Sequence, residues 1–482
     1  MLPFLFLSHA ALALFCLFTR VLAADLRSLL VRWAGGVGAL SALWLFFARG
    51  SEATWGAFSL RPGPVSVVAA AIFCAWVILV AVDGGRGRWE LGALVGAGSS
   101  ALVLFASSDW IAPTLLFWVC LSAALWVTVW LRGAGGVALG LLALSDVLLI
   151  GGLTGHSLAR ESWAMPEVMR SWAGYALIAS AVVRAGVLPG LGIWSLLGRA
   201  ETAAIPLAVA SAFVLVPTVS TGDEIFVALP LLLVGVATAT WVIARRSGHL
   251  SPVAAWPVGL MLSIVWIEPR ALGKAGVSAV LAASVVALWS WTGGRGQSER
   301  GLLLAVVPVT VGFGALVGGA TASFERALDI GTVLGAAPWS AFAALLPAAL
   351  ALGVTLGAAV ARRVEPERYQ PAAVLATWAL VLAGIVLGLS PSVQLGFSTG
   401  AGSAGRAPWL YLVALAAGVA AARFGPRQPV ELGISPAAPE PGAIEASGLA
   451  ATILLRVALL MGICGFGFAL WFTYTGLRVG FL

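Results

Sequence analysis

The feature that most constrains this chain is the recurrence, from one end to the other, of apolar stretches joined by short connectors. A hydrocarbon core of about 30 Å needs ~20 mainly apolar residues per crossing helix. Stretches at 2–24, 33–49, 62–82, 110–131, 135–154, 171–198, 204–219, 274–292 and 371–389 meet or approach that length, and others fall between them. The pattern predicts an all-α integral membrane protein of about 14–16 transmembrane helices. Composition supports this. Hydrophobic residues make up 61% of 482, charged residues only 10%, and mean hydropathy is +1.02. A soluble domain carries about 25% charged residues, so a water-facing surface cannot be built from this sequence. One continuous bundle is expected, read as N-terminal helices over 1–90, a transmembrane core over 91–425, and a Pro-rich linker with a C-terminal helix over 426–482.

The formal net charge of +7 does not imply nucleic acid. The basic residues are scattered through connectors such as GGRGRWE and TGGRGQSER, with no basic stripe and no interleaved aromatic patch. They read instead as a topology signal. With helices counted from the first stretch, Arg27, Arg32, Arg86, Arg245 and Arg362 join an excess on one side, which predicts that both termini face away from the cytoplasm. Met1–Ala24 lacks a charged leading region and carries Arg20 near its far end, so it is read as a retained first helix. Cys16, Cys74, Cys120 and Cys464 all lie in apolar stretches without metal-ligand spacing, and His9, His156 and His249 are far apart. No catalytic residue, metal site or cofactor is implied.

Chemistry in such a chain falls to charged groups inside the bilayer, which are costly there and often functional. Asp146 lies mid-helix in LLALSDVLLIGG. Arg184 lies in SAVVRAGVLPGLGIW, where Gly186, Pro189 and Gly190 predict a helix break. Glu325, Arg326 and Asp329 cluster in TASFERALDIG, after Gly318 and Gly319, at a second expected break. Broken helices at membrane depth are tolerated where protein or water satisfies the freed backbone groups, and they often flank ion paths. The bland alternative for each charge is an ion pair or backbone contact that fixes helix packing. Arg184 and Arg326 hold similar places in two successive halves, which suggests an internal duplication. Arg456, in the last helix, is read as a packing residue.

These residues resemble the antiporter-like, proton-conducting subunits shared by respiratory complex I, membrane-bound hydrogenases, Mrp-type cation/proton antiporters and DAB-type inorganic carbon uptake systems. Arg184 stands where that family carries a lysine, with Pro189 five residues on and Trp194 near the usual tryptophan. AETAAIPLAVASAF (200–213) resembles the start of the family's next helix, and Asp146 resembles the end of its Asn-Arg-x-Gly-Asp motif. TASFER (321–326) places Arg326 at a second lysine position, and SSDWIAPTLLFWVCLSA (107–123) resembles the stretch that supplies the family's glutamate. The resemblance covers about 90–425. It implies a multi-pass subunit in the cell (inner) membrane, partnered by other membrane subunits or a large soluble protein, with quinone and NADH sites on other chains.

The departures carry physical consequences. Val119 follows Trp118 where the family has its glutamate, both lysines are arginines, and no histidine appears near Ala212. A buried lysine can lose its proton because desolvation lowers its pKa. Arginine stays protonated in proteins, so the charge is kept and the switch discarded. The resemblance therefore implies an altered or lost lysine-based proton path. Asp146, Glu325 and Asp329 remain as alternative titrating groups, with Arg184 and Arg326 as fixed counter-charges. The link at 424–447 is short and Pro-rich, unlike the lateral helix of complex I's distal subunit. The competing readings are an unrelated secondary transporter and a membrane-embedded transferase, for which Glu161 and Glu167 in the loop 155–170 are the available acidic pair.

Overall fold

The computed structural model describes residues 23–47, 53–55, 58–60, 63–82, 136–164, 172–184, 204–215, 272–292 and 371–389, with individual residues at 4–11, 110–126, 261 and 471–478. The chain forms two compact units. The first comprises Met1–Ser220 with Pro439–Leu482, and the second comprises Thr221–Ala438.

In the first unit, α1 (Ala24–Phe47) and α2 (Pro64–Val82) pack against one another. Asp25 in the first turn of α1 complements the positive helix end. That turn begins the helix nine residues before the start expected from hydropathy, so Arg27 and Arg32 lie in a helix and not in a connector. The physical reason is that Leu26, Leu29 and Leu30 continue the helical spacing through the two arginines, and Arg32 is exposed, where a long side chain can keep its charge away from the core. Close approach of the pair depends on Gly38, where a Cβ would sit 2.6 Å from both Cys74 Sγ and Ser8 Oγ. Pro64 opens α2 at the position where its missing N–H is harmless, and Val67 N–H donates to Gly63 O at 3.1 Å.

Between these helices the chain forms a short antiparallel hairpin, β1 (Ala53–Trp55) with β2 (Phe58–Leu60), in the register Ala53↔Leu60 and Trp55↔Phe58. It is the departure from an all-helical reading among the described elements. Local propensity explains it, because Thr54, Trp55 and Phe58 favour strands and Gly56 precedes Ala57 in the order that tight two-residue loops favour.

Next come α3 (Gly136–Arg160), α4 (Trp172–Arg184) and α5 (Ala204–Leu215). α4 packs on α3 and on α5, and α5 also touches α2. The α3–α4 seam is lined by small residues, as in membrane helix pairs generally. A Cβ at Gly152 would lie 2.9 Å from Ala173 O, and one at Gly155 would lie 2.6 Å from the Trp172 ring. Ser180 Oγ donates to Ser145 O at 2.7 Å across the seam, and the two hydroxyls lie 3.2 Å apart. α3 ends in a Schellman-type cap. Glu161 takes a left-handed conformation (φ 51°) and Ser162 N–H returns to Ser157 O at 3.3 Å. The cap leads into residues that pair with the fifth apolar stretch, where Ile111 N–H donates to Trp163 O at 2.9 Å.

In the second unit, α6 (Leu272–Thr292) packs against α7 (Pro371–Leu389). Residues 275–285 of α6 are all buried, which accounts for a helix that is apolar or small all round. Ser284 satisfies its hydroxyl by donating to Val280 O at 2.6 Å. By contrast α7 exposes Leu375, Trp378, Leu382 and Val386, and α1 exposes Leu26, Leu29, Trp33, Leu40 and Trp44. Such helix-long apolar faces suit lipid and not water. Among the described residues, α1 over Ser28–Leu45 and α3 over Leu139–Arg160 are long and apolar enough to cross a membrane.

Candidate functional site: a buried acid–arginine pair

The contact face of α3 reads Leu139, Leu142, Asp146, Leu149, Leu153, a three–four spacing whose members are all buried. Asp146 thus occupies a position where an apolar residue would ordinarily sit, and only 2% of it is exposed. The last turn of α4 supplies Arg184, fully buried and at the end of the helix where a cation is favoured. The two meet: Arg184 Nη2 donates to Asp146 Oδ1 at 2.5 Å.

The rest of the shell comes from one helical face of the fifth stretch. Trp118, Ser122 and Trp126 follow one another at four-residue intervals, each in helical conformation, so their side chains line up. Trp118 Nε1 donates to Oδ1 at 2.9 Å, Ser122 Oγ donates to Oδ1 at 2.6 Å, and Trp126 Nε1 donates to Oδ2 at 3.0 Å. Ser122 Oγ also accepts from Arg184 Nη2. The guanidinium lies over the Trp118 ring, 4.4 Å from its centroid, in cation–π geometry. Asp146 therefore receives four donors, about the capacity of a carboxylate. Arg184 is the opposite, since its Nε and Nη1 have no hydrogen-bond partner among the described residues.

The structure thus brings together two of the residues singled out by sequence, Asp146 and Arg184. Glu325, Arg326, Asp329, Gly186, Pro189 and Gly190 lie outside the described residues. Val119 is buried beside Trp118, yet its lack of a carboxylate does not leave Arg184 without an acidic partner, because α3 provides one. Trp118, Ser122 and Trp126 are site residues that a search for charge at membrane depth does not single out. Their four-residue spacing, two indole N–H groups around a hydroxyl on an otherwise apolar helix, was the available signal. Among the described residues no group of three His, Cys, Asp or Glu could hold a metal ion. What the cluster provides is a neutralised charge pair in a low-dielectric setting, with spare donors on the cationic side.

No family model matches the chain, and no curated protein matches its sequence. Similarity appears at the level of structure. A chain of respiratory complex I from Thermus thermophilus with bound aureothin superposes with a TM-score of 0.58 at 19% identity, covering 80% of this chain and 98% of that one. A chain of the same organism's complex I with bound NADH gives 0.54 at 14%, covering 86% and 99%. A chain of the membrane-bound sulfane sulfur reductase, an archaeal respiratory membrane complex, gives 0.54 at 12%, covering 86% and 96%. The chain has the fold of these respiratory-complex chains over most of its own length and nearly all of theirs.

Proposed function

We propose that this chain is a multi-pass membrane subunit of an ion-coupled, multi-protein complex of the complex I, Mrp or DAB type, a divergent member of the antiporter-like family. The observation that carries this reading is the Asp146–Arg184 pair, buried where α3 meets α4, within a fold shared with chains of respiratory membrane complexes. Ionisable residues inside membrane helices pair with one another and mark ion pathways. Here the cation is an arginine, whose proton is retained in proteins, so the ordinary lysine relay is altered or lost in this unit. The subunit contributes its scaffold and a charge pair whose cation does not titrate, and any residual flux runs through other groups, with Glu325 and Asp329 as the titrating candidates in the second unit and Arg326 as their fixed counter-charge. The chain alone has no catalytic activity in this reading, and both termini face away from the cytoplasm.

The test is affinity purification of the tagged protein in mild detergent, with mass spectrometry of what accompanies it. Co-purification of antiporter-like subunits or of one large soluble protein is the expected result. Recovery of the chain by itself, as a stable monomer or homo-oligomer, would overturn the subunit reading in favour of an independent transporter or transferase.

A further inference from the structure

The hydrogen-bond arrangement around Asp146 has an asymmetry that the pairing alone does not require. Three of its four donors are neutral, from Trp118, Ser122 and Trp126, and they reach both carboxylate oxygens. Only one is cationic, and it comes from a single nitrogen of Arg184. A buried ion pair held for mutual neutralisation favours the two-pronged fork of guanidinium and carboxylate. Here the carboxylate is filled by neutral groups, while Nε and Nη1 of Arg184 have no hydrogen-bond partner among the described residues. Neutral N–H and O–H dipoles that converge on an anion can carry its charge within a protein, as oxyanion holes and backbone nests do.

We propose that Trp118, Ser122 and Trp126 form a carboxylate-binding cradle that holds Asp146 independently of Arg184, and that Arg184 is the exchangeable member of the pair. The cradle residues are positioning residues: they fix the acid on α3, and the arginine on α4 is left able to take another acceptor. The ligand class of such a cradle is a small carboxylate, which Asp146 supplies from within the chain. This inference concerns the cluster alone and does not depend on the chain being a complex subunit or carrying any ion.

The test is chemical rescue in the purified full-length protein. Asp146→Gly removes the internal carboxylate and leaves the cradle, and formate is the probe, with chloride as the ionic control. Formate is expected to raise the Tm of D146G saturably, leave the wild type unmoved, and still act on R184Q/D146G. Its effect should vanish in W118F/D146G. Loss of the effect in R184Q/D146G with retention in W118F/D146G would overturn the proposal, as would no effect in D146G. Should D146G not fold, the difference in ultraviolet resonance Raman between R184Q and R184Q/W118F, which isolates one indole among the 21 tryptophans, decides the matter. Retained hydrogen bonding at Trp118 supports the cradle, and its loss on removing the arginine refutes it.

Discussion

Asp146 and Arg184 divide their hydrogen bonds unequally, and that inequality sets what each substitution does. Asp146→Asn keeps one oxygen that can accept from Arg184 but removes the charge that neutralises a fully buried guanidinium and sets an NH2 group against a donor of the shell, and breaking a buried pair in this way costs about 3–5 kcal/mol. Arg184→Gln leaves a carboxylate still served by two indoles and a hydroxyl, so its loss of thermal stability in detergent should be the smaller of the two. Equal losses, or the reverse order, would contradict the donor accounting. Ser122→Ala removes a donor to Asp146 and an acceptor for Arg184 at once, and a loss of about 1–3 kcal/mol is expected by the same measurement. The two charged residues were legible in the sequence because charge at membrane depth is conspicuous. Their neutral partners were not, because a tryptophan or serine in a membrane helix is ordinary until its spacing is set against an acid on a neighbouring helix.

At the scale of elements, the glycines of α3 are not equivalent. A Cβ at Gly152 would meet the Ala173 backbone carbonyl oxygen at 2.9 Å, whereas one at Gly151 meets nothing within 4 Å. Gly152→Ala should destabilise the α3–α4 pair by about 1–3 kcal/mol. Gly151→Ala should stabilise by about 0.5–1 kcal/mol through helix propensity alone. Comparison of the two melting curves separates packing from propensity. At the end of α3, Glu161 sits in a left-handed conformation that suits glycine, so Glu161→Gly should be neutral or stabilising by up to about 1 kcal/mol, unlike most glycine substitutions. Helix positions were largely readable from hydropathy: α2, α5, α6 and α7 start within two residues of the expected stretches. The start of α1 was not, because a hydropathy window ends a helix at Arg32 where leucine spacing carries it on. The hairpin is not legible for the converse reason, since its strands are only three residues long and give too short a pattern to register against two flanking membrane stretches.

For the whole molecule, the first compact unit is closed by a segment from the far end of the chain, Pro439–Leu482. Co-expression of residues 1–220 with residues 439–482 as separate polypeptides should therefore yield an associated pair in detergent. Failure of the two to co-purify would show that the unit needs the intervening chain. Bulk hydropathy fixes the membrane class, but it carries no information about which segments share a unit, because every apolar stretch is an equally good neighbour for every other. The serines that join α3 to α4 have a mechanical consequence of their own. Each reaches into the other helix's backbone, Ser180 Oγ to Ser145 O at 2.7 Å and Ser145 Oγ to Ser180 O at 3.4 Å, one residue from Asp146 and four from Arg184. Such a reciprocal latch resists sliding of one rod along the other, because any slip breaks both bonds together. Sliding of α3 along α4 is thus opposed right beside the acid, and rotation of the arginine's long side chain about its own bonds is the movement between acid and base that leaves both serine bonds intact.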